Sequence, residues 1–451
     1  MGEKTLTRKL GFWAALAIGV GSTVGSGIFV NCSTVAKAGG SPFLSILSWV
    51  VGGLVMIPQM MILAELSTAF PDNGYGYVLF SRAGSKPLAF LFGWATFWAL
   101  DPTGIAVLAL ASVTYIAFFI PVLTGFFGNL LATVLIIVFA VLHYRSVKTG
   151  GAFTVMITIA KILPFALIIG LGLFFIHGGN FSNAAVATKI PFGSGLMAGV
   201  SATTWAYSGM AGICYMAGEF KNPGKTLPRA LIGSAIVIMA LYSFVSAAVH
   251  GLLPFDKIIA TSTPITDALR TIPFFSSFAP AFVAFTAILV ILGCLNTSIM
   301  FEPRMEFAMA QDNLFFKVFD HVHPKYETPD RSIALVVGFA IVQVWATNIQ
   351  TLLGYTTLVL LIMNTLLYLT IITCRKREDY KPVFHCPAWP VMMVLSSAAC
   401  AWMAWGTFQW APIPGIIAAA AVVVTGLPAY YYWNSKKKKL ENSETKEKVS
   451  V

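Results

Sequence analysis

Long apolar stretches separated by short polar connections run along most of this chain, with no sustained period-two alternation, and so predict helices rather than strands. A helix needs about 20 apolar residues to cross a bilayer. Twelve stretches approach or exceed that length: 12–36, 43–69, 86–119, 126–144, 152–176, 192–217, 229–252, 279–303, 332–347, 350–373, 388–408 and 412–433. The connections are short, with turn signals at Pro71-Asp72-Asn73-Gly74 and Asn222-Pro223-Gly224.

Two stretches depart from the apolar pattern in the same way. The first carries Gly19, Gly21, Gly25 and Gly27 together with Ser22, Thr23 and Ser26. Each glycine weakens a helix by about 1 kcal/mol relative to alanine, so the first span is expected to open around Gly25-Ser26-Gly27. Opened backbone survives inside a bilayer only where protein buries it or where it lines a cavity. The sixth stretch places hydroxyls and a glycine at mid-span, in Ser201-Ala202-Thr203-Thr204-Trp205-Ala206-Tyr207-Ser208-Gly209. Paired interruptions five spans apart point to a transporter built from five-plus-five inverted repeats with two trailing helices.

Helix polarity gives each break a chemistry. With the N-terminus inside, the outer half of span 1 starts at mid-depth, where free N–H groups and the positive dipole end collect. The main chain of Gly25, Ser26, Gly27 and Ile28 then suits a carboxylate. The first half of span 6 ends near Trp205, Ala206, Tyr207 and Ser208, where carbonyls and the negative dipole end suit an ammonium. Together the two ends describe an α-amino acid. Helix packing through small residues is the competing reading, preferred for Gly19 and Gly21.

Two charged residues fall deep inside spans. Lys161, in Thr158-Ile159-Ala160-Lys161-Ile162-Leu163-Pro164, is expected to face the interior near the opened carbonyls of span 1. There its ammonium would replace a coupling sodium ion, or exchange a proton; a purely structural pairing is the alternative. Asp101, before Pro102, either meets a second cationic group on a substrate or satisfies local backbone. The two readings stand even. Glu65, Glu219, Glu302 and Glu306 are expected to pair with loop arginines as an inner gate.

Composition narrows the class. The 451 residues are 57% hydrophobic and only 10% charged, against roughly 25% charged in soluble domains. The net charge of +11 is distributed by side: in the twelve-span arrangement 24 of the 29 lysines and arginines face the cytoplasm, as the positive-inside rule requires. Nucleic acid is therefore not an expected partner; the lipid bilayer is. The run Lys436–Lys439 meets anionic headgroups. The first span is expected to be retained rather than cleaved as a signal peptide. Six cysteines without a C-x-x-C pair suggest small apolar packing residues, with no disulfide framework and no metal site. No phosphate loop, dinucleotide fingerprint or intramembrane catalytic constellation is present, so neither a cofactor nor an enzyme is expected. The expected layout is a cytoplasmic tail over 1–11, a transport core over 12–373, two further helices over 374–433 and a disordered cytoplasmic tail over 434–451.

At this point the residues carry a resemblance. Gly25-Ser26-Gly27-Ile28-Phe29 resembles the helix-1 signature of the amino acid–polyamine–organocation (APC) family. Glu65-Leu66, Pro71-x-x-Gly74, Lys221-Asn222-Pro223 and Thr328-Pro329 follow in the family's order. The resemblance covers essentially the whole chain. It implies an all-α integral membrane protein with twelve transmembrane helices in the LeuT-like 5+5 inverted repeat plus two. It also implies alternating access, and a lysine at the Lys161 position resembles the sodium-independent exchangers and proton-linked members. Arg8–Trp13, Ile57–Met60, Leu227–Gly233, Asp312–Lys317 and Trp410–Gly415 resemble the branch that carries the glycated lysines fructoselysine and psicoselysine. Ala211 stands where the arginine/agmatine branch has a glutamate, which argues against arginine exchange. The expected function is sodium-independent exchange or proton-coupled uptake of an amino acid or derivative across the inner membrane, with both termini cytoplasmic. A neutral amino-acid exchanger is the nearest alternative; an amino-acid-gated channel or membrane sensor is the alternative of another class.

Overall fold

The computed structural model describes residues 6–25, 27–182, 190–346, 349–410 and 412–449. Among these the only β feature is an isolated parallel bridge between Leu10 and Phe220. The helices are α1 (Phe12–Thr23), α2 (Gly27–Gly39), α3 (Pro42–Ala69), α4 (Tyr75–Arg82), α5 (Lys86–Ala95), α6 (Asp101–Ile116), α7 (Gly125–Arg145) and α8 (Val147–Phe174). They continue with α9 (Gly179–Ser182), α10 (Phe192–Tyr207), α11 (Gly212–Tyr215), α12 (Pro223–Leu252), α13 (Phe255–Ala260), α14 (Pro264–Arg270), α15 (Ala279–Phe301) and α16 (Arg304–Gln311). The last four are α17 (Asp330–Ala346), α18 (Ile349–Cys374), α19 (Trp389–Trp410) and α20 (Pro412–Val449).

Each of the twelve predicted stretches contains helix among the described residues. Among the described residues seven helical segments are long and apolar enough to cross a membrane, including Pro42–Ala69, Val147–Phe174 and Ala279–Gln311; Leu358–Cys374 and Trp389–Trp405 are shorter apolar helices. The outward faces of α7 and α8 carry Phe126, Val134, Val138, Ile159 and Leu163 in exposed positions. Such a face is matched to hydrocarbon rather than water, and the chain is a multi-pass membrane protein.

Local chemistry starts the helices where the sequence has caps. Ser41 Oγ accepts from Leu44 N–H at 3.2 Å with Pro42 behind it, and Ser146 Oγ accepts from Thr149 N–H at 3.2 Å at the start of α8. One π-helical turn, Thr96–Leu100, joins α5 to α6 and delivers Asp101 to the first turn of α6. Such bulges often mark functional positions. The tail departs from expectation: α20 runs on through Lys436–Lys439 to Val449. Its lysines and glutamates are good helix formers, and a helix already nucleated extends at little cost.

The end of the bundle that carries Leu10 is tied shut by polar contacts. Leu10 and Phe220 are held by Leu10 N–H to Glu219 O at 3.0 Å and Lys221 N–H to Leu10 O at 2.7 Å. Lys9 meets Glu327 at 2.9 Å. Buried Glu65 accepts from Arg375 Nε and Nη2 at 2.7 Å each, from Tyr380 Oη at 2.9 Å and from Cys386 N–H at 2.6 Å. Glu219 takes Arg304 Nε at 2.8 Å. The expected arginine partners thus exist for Glu65 and Glu219. Among the described residues Glu302 and Glu306 form no ion pair; Arg304, which lies between them in sequence, is engaged by Glu219 and the Met300 carbonyl.

Candidate functional site

Both interrupted spans stop as helices midway. The first ends at Thr23 and restarts at Gly27, with Val24 and Gly25 in a bend; Ser26 lies outside the described residues. The sixth ends at Tyr207, turns through Ser208–Ala211 and resumes as the short α11.

The two breaks lie against each other. Ser22 Oγ donates to the Gly209 carbonyl at 2.9 Å. Gly209 has φ +121°, and a β-carbon there would sit 2.8 Å from the Ser22 carbonyl oxygen. Only glycine serves both demands. Gly27, the first residue of α2, approaches Ala206 so closely that a β-carbon would lie 2.8 Å from its Cα. Ala206 and Tyr207 are buried, with Tyr207 Oη donating to the Trp49 carbonyl at 2.6 Å. Ser208 is exposed and Ser22 half-buried although both sit midway along their spans. Trp205 belongs to the end of α10, and its side chain lies outside the described residues. Ile28 is fully buried in the first turn of α2.

Unwinding leaves the last carbonyls of α1 without helical partners. Lys161, fully buried on α8, supplies them: its Nζ donates to Gly21 O at 2.5 Å and Val24 O at 2.6 Å, with Cys294 Sγ at 3.7 Å. Tyr242 Oη donates to Thr23 O at 3.1 Å. An ammonium at the negative end of α1 is also favourable to the helix dipole. A β-carbon on Gly25 would lie 3.0 Å from Cys294 Sγ, and Gly19 and Gly21 pack against Ile213 and Thr158 respectively. Sequence reading treated Cys294 as a packing residue; its role beside Lys161 had no local signal.

Asp101 lies in the first turn of α6, where Tyr215 Oη, from the resumed half of the sixth span, donates to its Oδ1 at 3.3 Å; its electrostatic neighbours are Glu302 and Glu306. A small cavity of about 50 Å³ lies between α3, α10 and α19, lined by Gly52, Met56, Thr203, Trp402 and others, and it reaches the break in the sixth span at Tyr207. Among the described residues no group of histidines, cysteines and carboxylates is arranged to hold a metal ion.

Comparison with known proteins places this geometry in context. A family model described as amino acid permease matches residues 10–428. The serine/threonine exchanger SteT of Bacillus subtilis (strain 168) is 27% identical over 408 residues, covering 88% of this chain and 90% of the relative. The methylthioribose transporter of the same organism is 28% identical over 422 residues, covering 89% and 88%. The human b(0,+)-type amino acid transporter 1 is 25% identical over 404 residues, covering 87% of this chain and 82% of the relative.

Proposed function

We propose that this chain, which belongs to the amino acid permease family, carries an amino acid or amino-acid derivative by docking it at the two helix breaks. Family and relatives are transporters, not enzymes. In this reading the substrate carboxylate takes the main-chain N–H groups of Gly25, Ser26, Gly27 and Ile28, at the positive end of α2. Its ammonium takes carbonyls at the end of α10, from Trp205 to Ser208. The observation that carries the reading is the pairing of the breaks, Ser22 to Gly209 at 2.9 Å, with exposed Ser208 at the opening.

Twelve spans in a five-plus-five inverted repeat, with both termini cytoplasmic in the inner membrane, complete the proposal. Helices 1 and 6 tilt to close one side and open the other. Lys161 takes the place of a coupling sodium ion, which makes transport sodium-independent. For cargo, the relatives' names include both amino acids and a sugar-bearing thioether. A glycated lysine such as fructoselysine or psicoselysine combines an amino acid with a sugar and is the specific cargo proposed. Purified protein in liposomes is expected to exchange labelled for unlabelled cargo saturably. Flux that rises linearly with concentration would indicate a channel. Competition by serine or leucine but not by glycated lysine would leave a neutral amino-acid exchanger.

A further inference from the structure

Glu302 and Glu306 stand two residues before and two after Arg304, at the junction of α15 and α16. Together with Asp101 they form a buried acidic group: Asp101 and Glu302 are 6% exposed and Glu306 0%. The group spans two elements closely, since a β-carbon on Gly104, one turn beyond Asp101, would lie 3.8 Å from Glu302 Oε1. Four of its oxygens have no hydrogen-bond partner: Asp101 Oδ2, Glu302 Oε2 and both of Glu306.

Among the described residues the surroundings supply no counter-charge. From α11, Tyr215 donates to Asp101 and stacks on Tyr75 of α4 with ring centroids 5.1 Å apart. Tyr75 Oη itself donates to Asn364 of α18 at 3.2 Å. Ser298 of α15 is the hydroxyl beside Glu302. His143 of α7 is engaged by Asn296 at 2.9 Å, and Arg304 by Glu219. Among the described residues no lysine or arginine forms an ion pair with any of the three acids, and none of them belongs to a metal-holding group.

We propose that Asp101, Glu302 and Glu306 form a proton-carrying site, separate from the two breaks, that couples proton entry to cargo movement. Fixed unpaired charge is costly inside a bilayer, and clustered like charges cannot all be ionised. A proton removes both penalties and needs no space, whereas an organic cation would need room among side chains already sealed from solvent. The group joins α6 to α15–α16 and, through Tyr215, to the inner half of broken span 6. Tilting of that half changes the surroundings of Asp101 directly. In the step itself a carboxyl O–H bond forms with a proton from water on one side. It breaks on the other side with the electron pair left on oxygen; nothing is oxidised or reduced.

The inference rests on the transporter reading, so its test has two readouts. In purified protein, infrared spectra are expected to show the C=O band of buried protonated carboxyls, diminished in Glu302→Gln and Glu306→Gln. In liposomes, an imposed inward proton gradient is expected to drive accumulation of labelled lysine or fructoselysine. The same variants should reduce accumulation to the level without a gradient while retaining counterflow exchange. Variants that keep both the band and the gradient-driven accumulation overturn the proposal. Variants that lose counterflow of cationic cargo alone overturn it too, by making the group a substrate subsite. A band lost on substitution, with no counterflow of any cargo even in the unaltered protein, would instead fault the transporter reading.

Discussion

Lys161 and the group of Asp101, Glu302 and Glu306 are both ionisable sets sealed inside the bundle, and they solve burial in opposite ways. The lysine is matched: the opened end of α1 gives it two carbonyls, and Cys294 closes the third side. The acids are unmatched, with four oxygens lacking any partner. A buried charge that finds good partners holds a structure together, whereas one without partners must take up something mobile. For Lys161 the sequence leaves a sodium substitute, a proton exchanger and a structural pairing as alternatives. Lys161 is built to hold the first break open, and the acids are built to change state.

The largest expected effect breaks the matched side. Lys161→Ala removes the ammonium from the Gly21 carbonyl and leaves that of Val24 only the weak Cys294 thiol donor, at about 1–3 kcal/mol for a buried acceptor left unpaired. A marked fall in the thermal midpoint of purified protein, with loss of exchange, is the expected outcome; wild-type stability would show that the carbonyls find other donors. Next comes Gly209→Ala, which places a methyl 2.8 Å from the Ser22 carbonyl oxygen at φ +121°. Strain of about 1–3 kcal/mol and loss of saturable exchange are expected, because the breaks must separate to admit the methyl. Tyr242→Phe removes one donor, to Thr23 O, and is expected to cost about 1 kcal/mol in unfolding measurements.

Glu306→Gln sharpens the comparison by its sign. Removing an unmatched charge is expected to leave the thermal midpoint unchanged or raised, opposite to Lys161→Ala. A large fall would mean that Glu306 has a cationic partner in the folded protein. The smallest effect is at the surface. Thr7 and Lys9 hold the Glu327 carboxyl below its ordinary range. Because this value is depressed on folding, the contact contributes above the unfolded value and is lost as pH falls through the folded one. Exposure limits it, so Lys9→Ala should shift thermal midpoints little, and only above the pH at which Glu327 is protonated.

Much of the fold was legible because bilayer crossing imposes a length and a hydropathy that local sequence must carry. Each predicted stretch contains helix, and the interruptions read at Gly25 and Gly27 and at Ser208-Gly209 coincide with the ends of α1, α2 and α10. Lys161 was readable as interior-facing because a lysine in lipid is too costly to leave there. The tail after Ser435 was misread because charge and shortness suggested disorder, while attachment to an existing helix extends it.

By itself, then, the sequence determined where helices form, where two of them weaken, and that a buried lysine needs carbonyls: these are properties of neighbouring residues. Partnership was decided only by the tertiary structure. Glu219 is matched by Arg304, while Glu302 and Glu306, flanking that same arginine, are not. Asp101 meets Tyr215 from a helix more than a hundred residues away. No local pattern encodes such choices, because a guanidinium serves whichever carboxylate the packing of α11, α15 and α6 brings to it.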